Sequence, residues 1–284
     1  MKKFSIILGI IALGLASAQA DIIYTDLGVA NTLLEDPAGW EGGSMPTAND
    51  VGVVQNYRRV VATTPTPWTS SLVITNGGHL MIAGDSLTMG TGADLTLDGL
   101  RISLRSGQTI NLNGNNFFLS SGTIGKMNRF DVTIANGCLQ GNGTINLVDD
   151  EDPSMTGSIV IGSTVDTTGF TGTFNLQSGS LRLPAITKAE GSFELEISGT
   201  GVYDNTANVA FTGLTINGNA VADGRYNRDQ LLAYGTTAYG EDWSSFIANG
   251  GGAIAVGDVL EFSASEDIAL DKGSGPQDGR KHLL

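Results

Sequence analysis

The sequence has little of what many enzyme sites are built from. Of its 284 residues, one is cysteine, Cys138, and two are histidine, His79 and His282. A single cysteine cannot close a disulfide within the chain, and two distant histidines give a zinc site or a Ser-His-Asp triad almost no material. We expect Cys138 to pack beside Leu139 as a small buried hydrophobic side chain. The stability of the fold must therefore come from its core.

Charged residues and long apolar runs are also scarce. Asp, Glu, Lys and Arg make up 15% of the chain, and acids outnumber bases by 29 to 15, which gives a net charge of −14. A chain of this sign repels phosphate groups, which argues against nucleic acid as a partner. After residue 20 no apolar stretch approaches the roughly 18 residues of a membrane-spanning helix. We therefore expect no membrane span in the rest of the chain.

The first twenty residues have the layout of a secretory signal peptide. Lys2 and Lys3 form a basic start, an apolar stretch follows from Phe4 to Leu15, and Ala18-Gln19-Ala20 is a small-x-small cleavage site. The mature chain is expected to begin at Asp21. This predicts a location outside the cell or on its surface, with the periplasm as the alternative.

Glycine is abundant, with 40 residues, and it separates short triplets that have apolar residues at both ends. These triplets follow one another at steps of seven or eight residues: Leu72-Val73-Ile74, Leu80-Met81-Ile82, Leu87-Thr88-Met89, Leu95-Thr96-Leu97, Ile102-Ser103-Leu104 and Ile110-Asn111-Leu112. Three steps lead from Leu72 to Leu95, and three lead from Leu80 to Ile102. The chain therefore repeats a unit of three short strands.

A three-residue strand becomes stable when similar strands stack above and below it. Side chains alternate across a strand, so both apolar residues of a triplet point inward. The pattern predicts an all-β fold, a right-handed parallel β-helix of about 22 to 23 residues per coil. An antiparallel sandwich, the alternative, has longer strands at a typical spacing of about 8–12 residues. We expect glycines at the bends, where positive φ is favourable: Gly77, Gly78, Gly84, Gly92, Gly99, Gly107 and Gly114.

The chain reads as one solenoid with distinct ends. The predicted segments are a signal peptide (1–20), an N-terminal extension and cap (21–55), the β-helix (56–213), a C-terminal coil and cap (214–265) and a disordered tail (266–284). One short helix is predicted from Arg228 to Tyr234, with Asn227 as its N-cap. The exposed ends of a solenoid need covers. We predict that Trp40 and Pro46 cap the first coil.

Tyr226 is the corresponding capping residue predicted for the last coil. At both ends the sequence resembles exported bacterial β-helix proteins, in particular the passenger regions of autotransporters and surface proteins with autotransporter-type β-strand repeats. The resemblance lies in Trp40, Gly42-Gly43, Pro46, Asp50 and Val51-Gly52-Val53 at the start, and in Leu214 to Gly218, Gly224-Arg225-Tyr226 and Leu231 near the end. It implies an exported β-helix and no catalytic residue.

Two arginines are the best candidates for catalysis. Arg105 should face outward, and Arg129 follows it about one coil later in the sequence, so we expect the two to lie side by side. β-Helix polysaccharide lyases use an outward arginine with Ca²⁺-binding aspartates in a groove. The nearby aspartates are Asp94, Asp98 and Asp131. The alternative interpretation is a surface ion-pair ladder, in which each pair contributes little.

Two groups of carboxylates are further candidate sites. Asp149, Asp150 and Asp152 lie in a predicted loop and are weak Ca²⁺ candidates, because carboxylate oxygens suit this ion. The spacing is not that of an EF-hand, and the alternative is a solvated acidic loop; no other cofactor is implied. Glu194 and Glu196 should face outward about 7 Å apart on one strand. Such a spacing suits a glycosidase pair, but on a convex face without a cleft we expect them to be solvated.

Two functional classes follow. The first is a non-catalytic secreted or cell-surface protein, adhesin-like or matrix-like, whose stacked Thr, Asn and Gly faces contact polysaccharide or another cell-envelope polymer. The alternative is a β-helix polysaccharide lyase or glycosidase. Ice binding is a third option, because Thr88, Thr96 and Thr133 face outward, although Asn, Ser and Arg interrupt their array.

Overall fold

In a computed structural model of the chain, short parallel strands stack coil upon coil into a β-solenoid of about six turns. The structure describes residues 21–26, 32–56, 59–62, 66–84, 86–105, 107–127, 129–150, 157–186 and 193–257. The predicted signal peptide and the predicted tail lie outside these residues. The predicted parallel β-helix is confirmed.

The described residues form one α-helix, α1 (Arg228–Tyr234), and these strands: β1 (Ile22–Tyr24), β2 (Val51–Val54), β3 (Arg59–Ala62), β4 (Ser71–Thr75), β5 (His79–Ile82), β6 (Leu87–Thr88), β7 (Leu95–Arg105), β8 (Thr109–Asn111), β9 (Asn116–Met127), β10 (Val132–Ala135), β11 (Gly137–Gly141), β12 (Thr144–Asp149), β13 (Ser158–Ile161), β14 (Val165–Phe170), β15 (Thr173–Arg182), β16 (Glu194–Asp204), β17 (Val209–Phe211), β18 (Gly213–Ile216), β19 (Asn219–Ala220), β20 (Gly224–Tyr226) and β21 (Ile254–Val256).

The parallel strands form three stacks along the solenoid. Stack one contains β1, β2, β4, the first halves of β7 and β9, β11 and β14. Stack two contains β3, β5, the second halves of β7 and β9, β12, the first halves of β15 and β16, and β18. Stack three contains β6, β8, β10, β13 and the second halves of β15 and β16. Stack one already includes β1 and β2, so coil stacking begins within the segment predicted as extension and cap.

The predicted coil length is found in the strand register. Leu72 pairs with Leu95, and Leu95 pairs with Phe117, so these coils have the period of the sequence repeat. A later coil is longer, since Ile145 pairs with Phe174. Most of its extra length lies between strands, and a shift of register between β11 and β14 takes up a further residue. In the regular coils, the length of the sequence repeat thus equals the length of one coil.

Inward-facing side chains fill the space between the stacks. Leu72, Leu95 and Phe117 are fully buried or nearly so, and burying such a side chain contributes roughly 1.5–3 kcal/mol. In the C-terminal coils the core changes to aromatic rings. Phe174 lies with its ring centroid 4.8 Å from that of Phe170 and 4.8 Å from that of Phe193. Aromatic stacking therefore continues the core to the last coil.

The predicted bend glycines serve two purposes. Gly77, Gly92, Gly107 and Gly114 have positive φ, as expected at bends. Gly99 does not; instead, a Cβ atom there would lie 2.7 Å from the Cα of Thr75 on the neighbouring coil. Some glycines are thus required by the close approach of coils. Asparagines also adopt positive φ at bends, which the sequence reasoning missed although Asn-Gly pairs mark several of them: Asn56, Asn76, Asn113, Asn136 and Asn217.

Cys138 is half-buried and makes no disulfide, so the expectation of a buried side chain was wrong. Its neighbour Leu139 occupies the inward position and is fully buried. Cys138 pairs in register with Asn116 and Asp166 on the adjacent coils. Alternation along β11 therefore turns the thiol away from the core.

At the N-terminal end, Trp40 joins the buried core. Its side chain is 1% exposed, and its ring stacks on Trp68 with centroids 5.7 Å apart. The indole N–H donates a hydrogen bond to the carbonyl oxygen of Leu34 at 2.9 Å. A Cβ atom at Gly52 would lie 3.0 Å from the Trp40 ring and 3.1 Å from Pro46. Glycine in β2 therefore makes room for both residues.

At the C-terminal end, antiparallel pairing interrupts the solenoid. β19 pairs with β18, and β20 pairs with β21, both antiparallel. Helix α1 spans the predicted residues, and Asn227 with Gln230 forms a capping box at its start. Tyr226 is buried beside it. Among the described residues, no helix has the length and apolar character needed to cross a membrane.

Candidate functional site

The outer side of stack two carries an uninterrupted series of polar side chains. Register aligns Thr123, Asn146, Asn175, Glu196 and Thr215 on consecutive coils, with about 4.8 Å between neighbouring strands. We call the surface that these positions form with the row beside them the polar face; its side chains are those of Ser121, Thr123, Thr144, Asn146, Thr173, Asn175, Glu194, Glu196 and Thr215.

Hydrogen bonds between coils fix several of these side chains. The Oδ1 of Asn146 accepts hydrogen bonds from Asn175 at 3.2 Å and from Gln177 at 3.0 Å. The Thr173 hydroxyl donates to Glu194 at 3.1 Å. Such contacts hold donors and acceptors in a regular array on a rigid sheet. The polar face is thus preorganised for hydrogen bonding.

The polar face ends in a shallow depression beside the C-terminal hairpin. Thr173, Glu194, Glu196, Thr215 and Asp223 supply its polar lining. Leu195, Leu214, Val221 and Val256 also belong to its lining. Glu194 is exposed and Glu196 half-buried. The two glutamates face outward as expected, but they line a depression where the sequence predicted a featureless convex face.

Beyond the hairpin, aromatic rings cluster on the C-terminal cap. The Tyr239 ring stacks on Trp243 with centroids 5.8 Å apart, and Tyr234 lies 6.0 Å from Tyr239 and 6.1 Å from Trp243. We call Tyr234, Tyr239 and Trp243 the aromatic platform. Tyr226 packs beneath, 5.8 Å from Tyr234, and burial raises the pKa of Tyr226 to about 12. Sequence reasoning identified Tyr226 alone of these four.

A carboxylate lies beside the aromatic platform. Glu241 accepts hydrogen bonds from the Asn217 side-chain amide and from the Trp243 indole N–H, both at 3.2 Å. These bonds hold the pKa of Glu241 below its ordinary value. The group is therefore a fixed negative charge at neutral pH.

At the other end of stack two, a polar network crosses several coils. The Nε2 of His79 lies 2.9 Å from the Oγ of Ser103, and Arg101 donates to the same oxygen at 2.8 Å. Arg101 also forms an ion pair with Asp150, two strands further along. Gly125 lies beneath the guanidinium, where a side chain would collide with it. Burial lowers the pKa of Arg101.

The arginines proposed for catalysis are exposed but are not aligned. Register pairs Arg105 with Met127, so the expectation that Arg129 lies directly beside Arg105 was wrong. The physical reason is that the coil starting at Arg105 is complete at Met127, and Arg129 already lies beyond β9 in the following bend. No described contact links either arginine to the candidate aspartates.

Those aspartates have structural roles. Asp94 and Asp131 accept hydrogen bonds from the backbone N–H groups of Asn116 and Ser158, at 2.9 and 2.8 Å. Asp98 accepts one from the Ser121 hydroxyl. The other carboxylate oxygen of Asp131 accepts from Arg182 at 2.9 Å, and Arg182 also binds Asp204 at 2.7 Å. Arg182, which the sequence reasoning missed, therefore forms the surface ion-pair ladder that was predicted for other arginines.

The described residues of the acidic run, Asp149 and Asp150, pair with cations and do not form the freely solvated loop that the sequence indicated. Asp149 ends β12 with its side chain 1% exposed, 2.7 Å from the ammonium group of the fully buried Lys126. Asp150 is engaged by Arg101, and Asp152 lies outside the described residues. In the described part of the chain, no three His, Cys, Asp or Glu residues are placed to hold a metal ion together. The Ca²⁺ hypothesis is therefore left without two of its three ligands.

The outward threonines lie on different surfaces. Thr96 belongs to stack one, whereas Thr88 and Thr133 belong to stack three in separate rows. They form no common flat array.

Comparisons with protein families, with curated proteins and with solved structures found no match for this chain. Function is therefore inferred from its own residues.

Proposed function

We propose that this protein is a non-catalytic secreted or cell-surface β-solenoid, adhesin-like or matrix-like, that holds a polysaccharide or similar cell-envelope polymer on the polar face. The observation that carries this proposal is the in-register row Thr123, Asn146, Asn175, Glu196 and Thr215. One hydroxyl, amide or carboxylate group recurs along it in each coil. A polymer of hydroxylated rings offers matching donors and acceptors along its length.

Rigidity supports the same proposal. Several side chains of the polar face are held by hydrogen bonds between coils, so binding costs them little side-chain entropy. The surface is long and shallow, which suits an extended polymer better than a small molecule that needs a deep pocket. Its glutamates and the net charge of −14 oppose binding of polyanions. A neutral polymer is therefore the favoured ligand.

The test is glycan binding by the full chain and by two matched double variants. Thr144→Ala with Thr173→Ala removes two in-register hydroxyls from the polar face. Thr109→Ala with Thr133→Ala removes the same two groups from the outer side of stack three. We expect the first variant to bind about 30-fold more weakly, at about 1 kcal/mol for each of the two hydrogen bonds lost, and the second to bind like the wild type. Equal binding by both variants would remove the polar face from the proposal.

A glycosidase is the second candidate, favoured by the position of Glu194 and Glu196 in the depression. Residues two apart on one strand lie about 7 Å apart, within the range of an inverting pair. Release of reducing sugar from a neutral polysaccharide, lost in Glu194→Gln and in Glu196→Gln, would support it. Binding without release of sugar would support the non-catalytic function.

A further inference from the structure

Tyr239 presents an aromatic ring to solvent from a fixed position. Its side chain is 41% exposed although its ring stacks on the fully buried Trp243. Its hydroxyl donates a hydrogen bond to the carbonyl oxygen of Ala220 at 2.6 Å. The ring is therefore held by its neighbours along one face and by its hydroxyl at one end. The exposed part of Tyr239 therefore belongs to a side chain that is held in a fixed position.

An uncommon backbone conformation places this ring. Residues Gly235–Tyr239 form a π-helical turn directly after α1, and Gly240 ends it with a φ of 72°. A Cβ atom at Gly235 would lie 2.6 Å from the Trp243 indole. Glycine therefore lets the turn rest on the indole. π-Helical turns are rare and frequently occur at functional sites.

Polar groups border the aromatic platform on the side of the β18–β19 hairpin. The carboxylate of Glu241 and the side-chain amide of Asn217 are joined by a hydrogen bond of 3.2 Å. Asn219 lies on the same hairpin. Ala220, which accepts the Tyr239 hydrogen bond, also lines the depression at the end of the polar face. The platform and the polar face thus meet at one residue.

This combination fits one chemical class of ligand. A hexopyranose ring has faces of C–H bonds, which pack on an aromatic ring, and hydroxyls at its edge, which bond to carboxylates and amides. A polyuronate would meet the negative charges of Glu241, Glu194, Glu196 and Asp223. The shared chemistry therefore points to an uncharged sugar.

We propose that the aromatic platform is a subsite of the polar face that stacks one ring of a neutral hexopyranose polymer on Tyr239. This inference rests on the proposed function and adds to it the kind of sugar ring, a hexopyranose, and the residue on which that ring stacks. The polymer follows the coils of stack two, crosses the depression and ends on the platform. Tyr239 supplies apolar contact that the threonines and asparagines of the polar face do not.

The experiment measures binding of cellohexaose, chitohexaose and hexagalacturonate to the full chain by calorimetry. We expect the neutral sugars to bind and the uronate to bind weakly or not at all. Tyr239→Ala should weaken neutral binding about tenfold, the scale of one aromatic stacking contact. Tyr239→Phe should bind within about twofold of the wild type, since it keeps the ring. Phe130→Ala is the matched control, because Phe130 is 62% exposed and lies elsewhere.

A second measurement uses the wild-type chain alone. Hydroxyl-radical labelling of Tyr239, mapped by peptide mass spectrometry, should decrease when cellohexaose is bound, whereas labelling of Phe130 should stay constant. Neutral binding that is unaffected in Tyr239→Ala, or unchanged labelling of Tyr239, would overturn this inference and leave the proposed function standing. Tighter binding of the uronate would overturn the ligand class. Failure of the wild type to bind any glycan would instead overturn the proposed function.

Discussion

The ammonium group of Lys126 lies 2.7 Å from a carboxylate oxygen of Asp149, and both side chains are buried inside the solenoid. The two residues pair in register on β9 and β12, at a position that Leu104 occupies one coil earlier. A buried ion pair costs desolvation that its attraction only partly offsets. Removing one partner is worse, because it leaves an uncompensated charge in the core.

We therefore expect Lys126→Ala to lower the free energy of unfolding by about 3–5 kcal/mol. The double variant Lys126→Met with Asp149→Leu should be as stable as the wild type or more so, because well-packed apolar residues replace the pair. Thermal and denaturant unfolding would measure both. Arg182→Ala is the control, since its pair with Asp204 is partly exposed and should change stability by about 1 kcal/mol or less. A loss of stability in Lys126→Ala that is no larger than the loss in Arg182→Ala would contradict this expectation.

Trp40→Ala tests the N-terminal cap. The change removes a buried ring that stacks on Trp68 and donates a hydrogen bond to Leu34, so we expect a loss of about 3–5 kcal/mol. The opened coil should also aggregate through its exposed end. Calorimetry and light scattering would show both effects. Leu33→Ala serves as the control because Leu33 is 45% exposed. An unchanged melting temperature in Trp40→Ala would mean that the ring covers nothing.

Polysaccharide lyase activity is expected to be absent. Arg105 pairs with Met127 in register, and Asp94 and Asp131 are engaged by backbone N–H groups. A lyase needs its groups to converge on the substrate. We expect no unsaturated products from pectin or alginate, with or without Ca²⁺. Their appearance in ultraviolet absorbance, and their loss in Arg105→Ala or Arg129→Ala, would establish the catalytic alternative.

Acid should weaken specific surface contacts. The native pKa values of four carboxylates lie below their ordinary values because each accepts hydrogen bonds: Asp50 from Thr47, Asp166 from Thr168, Glu241 from Asn217 and Asp242 from Ser244. The unfolded chain takes up these protons first as the pH falls. The stabilisation is therefore present above the unfolded pKa of about 4. It is lost as the pH drops through the native values.

Asp166→Ala makes this measurable. The melting temperature of Asp166→Ala should fall short of the wild type most clearly near neutral pH. The gap should narrow as the pH falls below the unfolded pKa of about 4 and then through the lowered native pKa of Asp166, because the wild-type carboxyl group then takes up a proton as well. Thermal melts across this range would follow the gap. A gap that widens in acid would show that the Asp166 hydrogen bond does not act through the ionised group. Thr171→Ala, a change at an exposed position after β14, provides a control with no titrating group.

The sequence by itself determined the repeat and the parallel pairing of its strands. Apolar residues at steps of seven or eight define three strands per coil, because alternation across a strand and the need for stacked partners leave few other solutions. Helix α1 was equally predictable, since a cap and a capping-box glutamine are local signals. The sequence also indicated that Lys126 points inward, because it follows the buried Ile124 by two residues and side chains alternate along a strand.

Only the tertiary structure decided which residues meet across coils. Alternation along a strand assigns a side chain to the inside or the outside of the solenoid. Which residues lie beside it on the adjacent coils depends on the number of residues in the bends of each coil. Short corners place Met127 beside Arg105 and Asp149 beside Lys126. In a longer coil, the residue that pairs with Ile145 is Phe174, which lies further along the sequence than the regular period would place it. The aromatic platform depends on the hairpin and the π-helical turn folding back on the last coil. Contacts of this kind are set by long-range packing, which a local period does not encode.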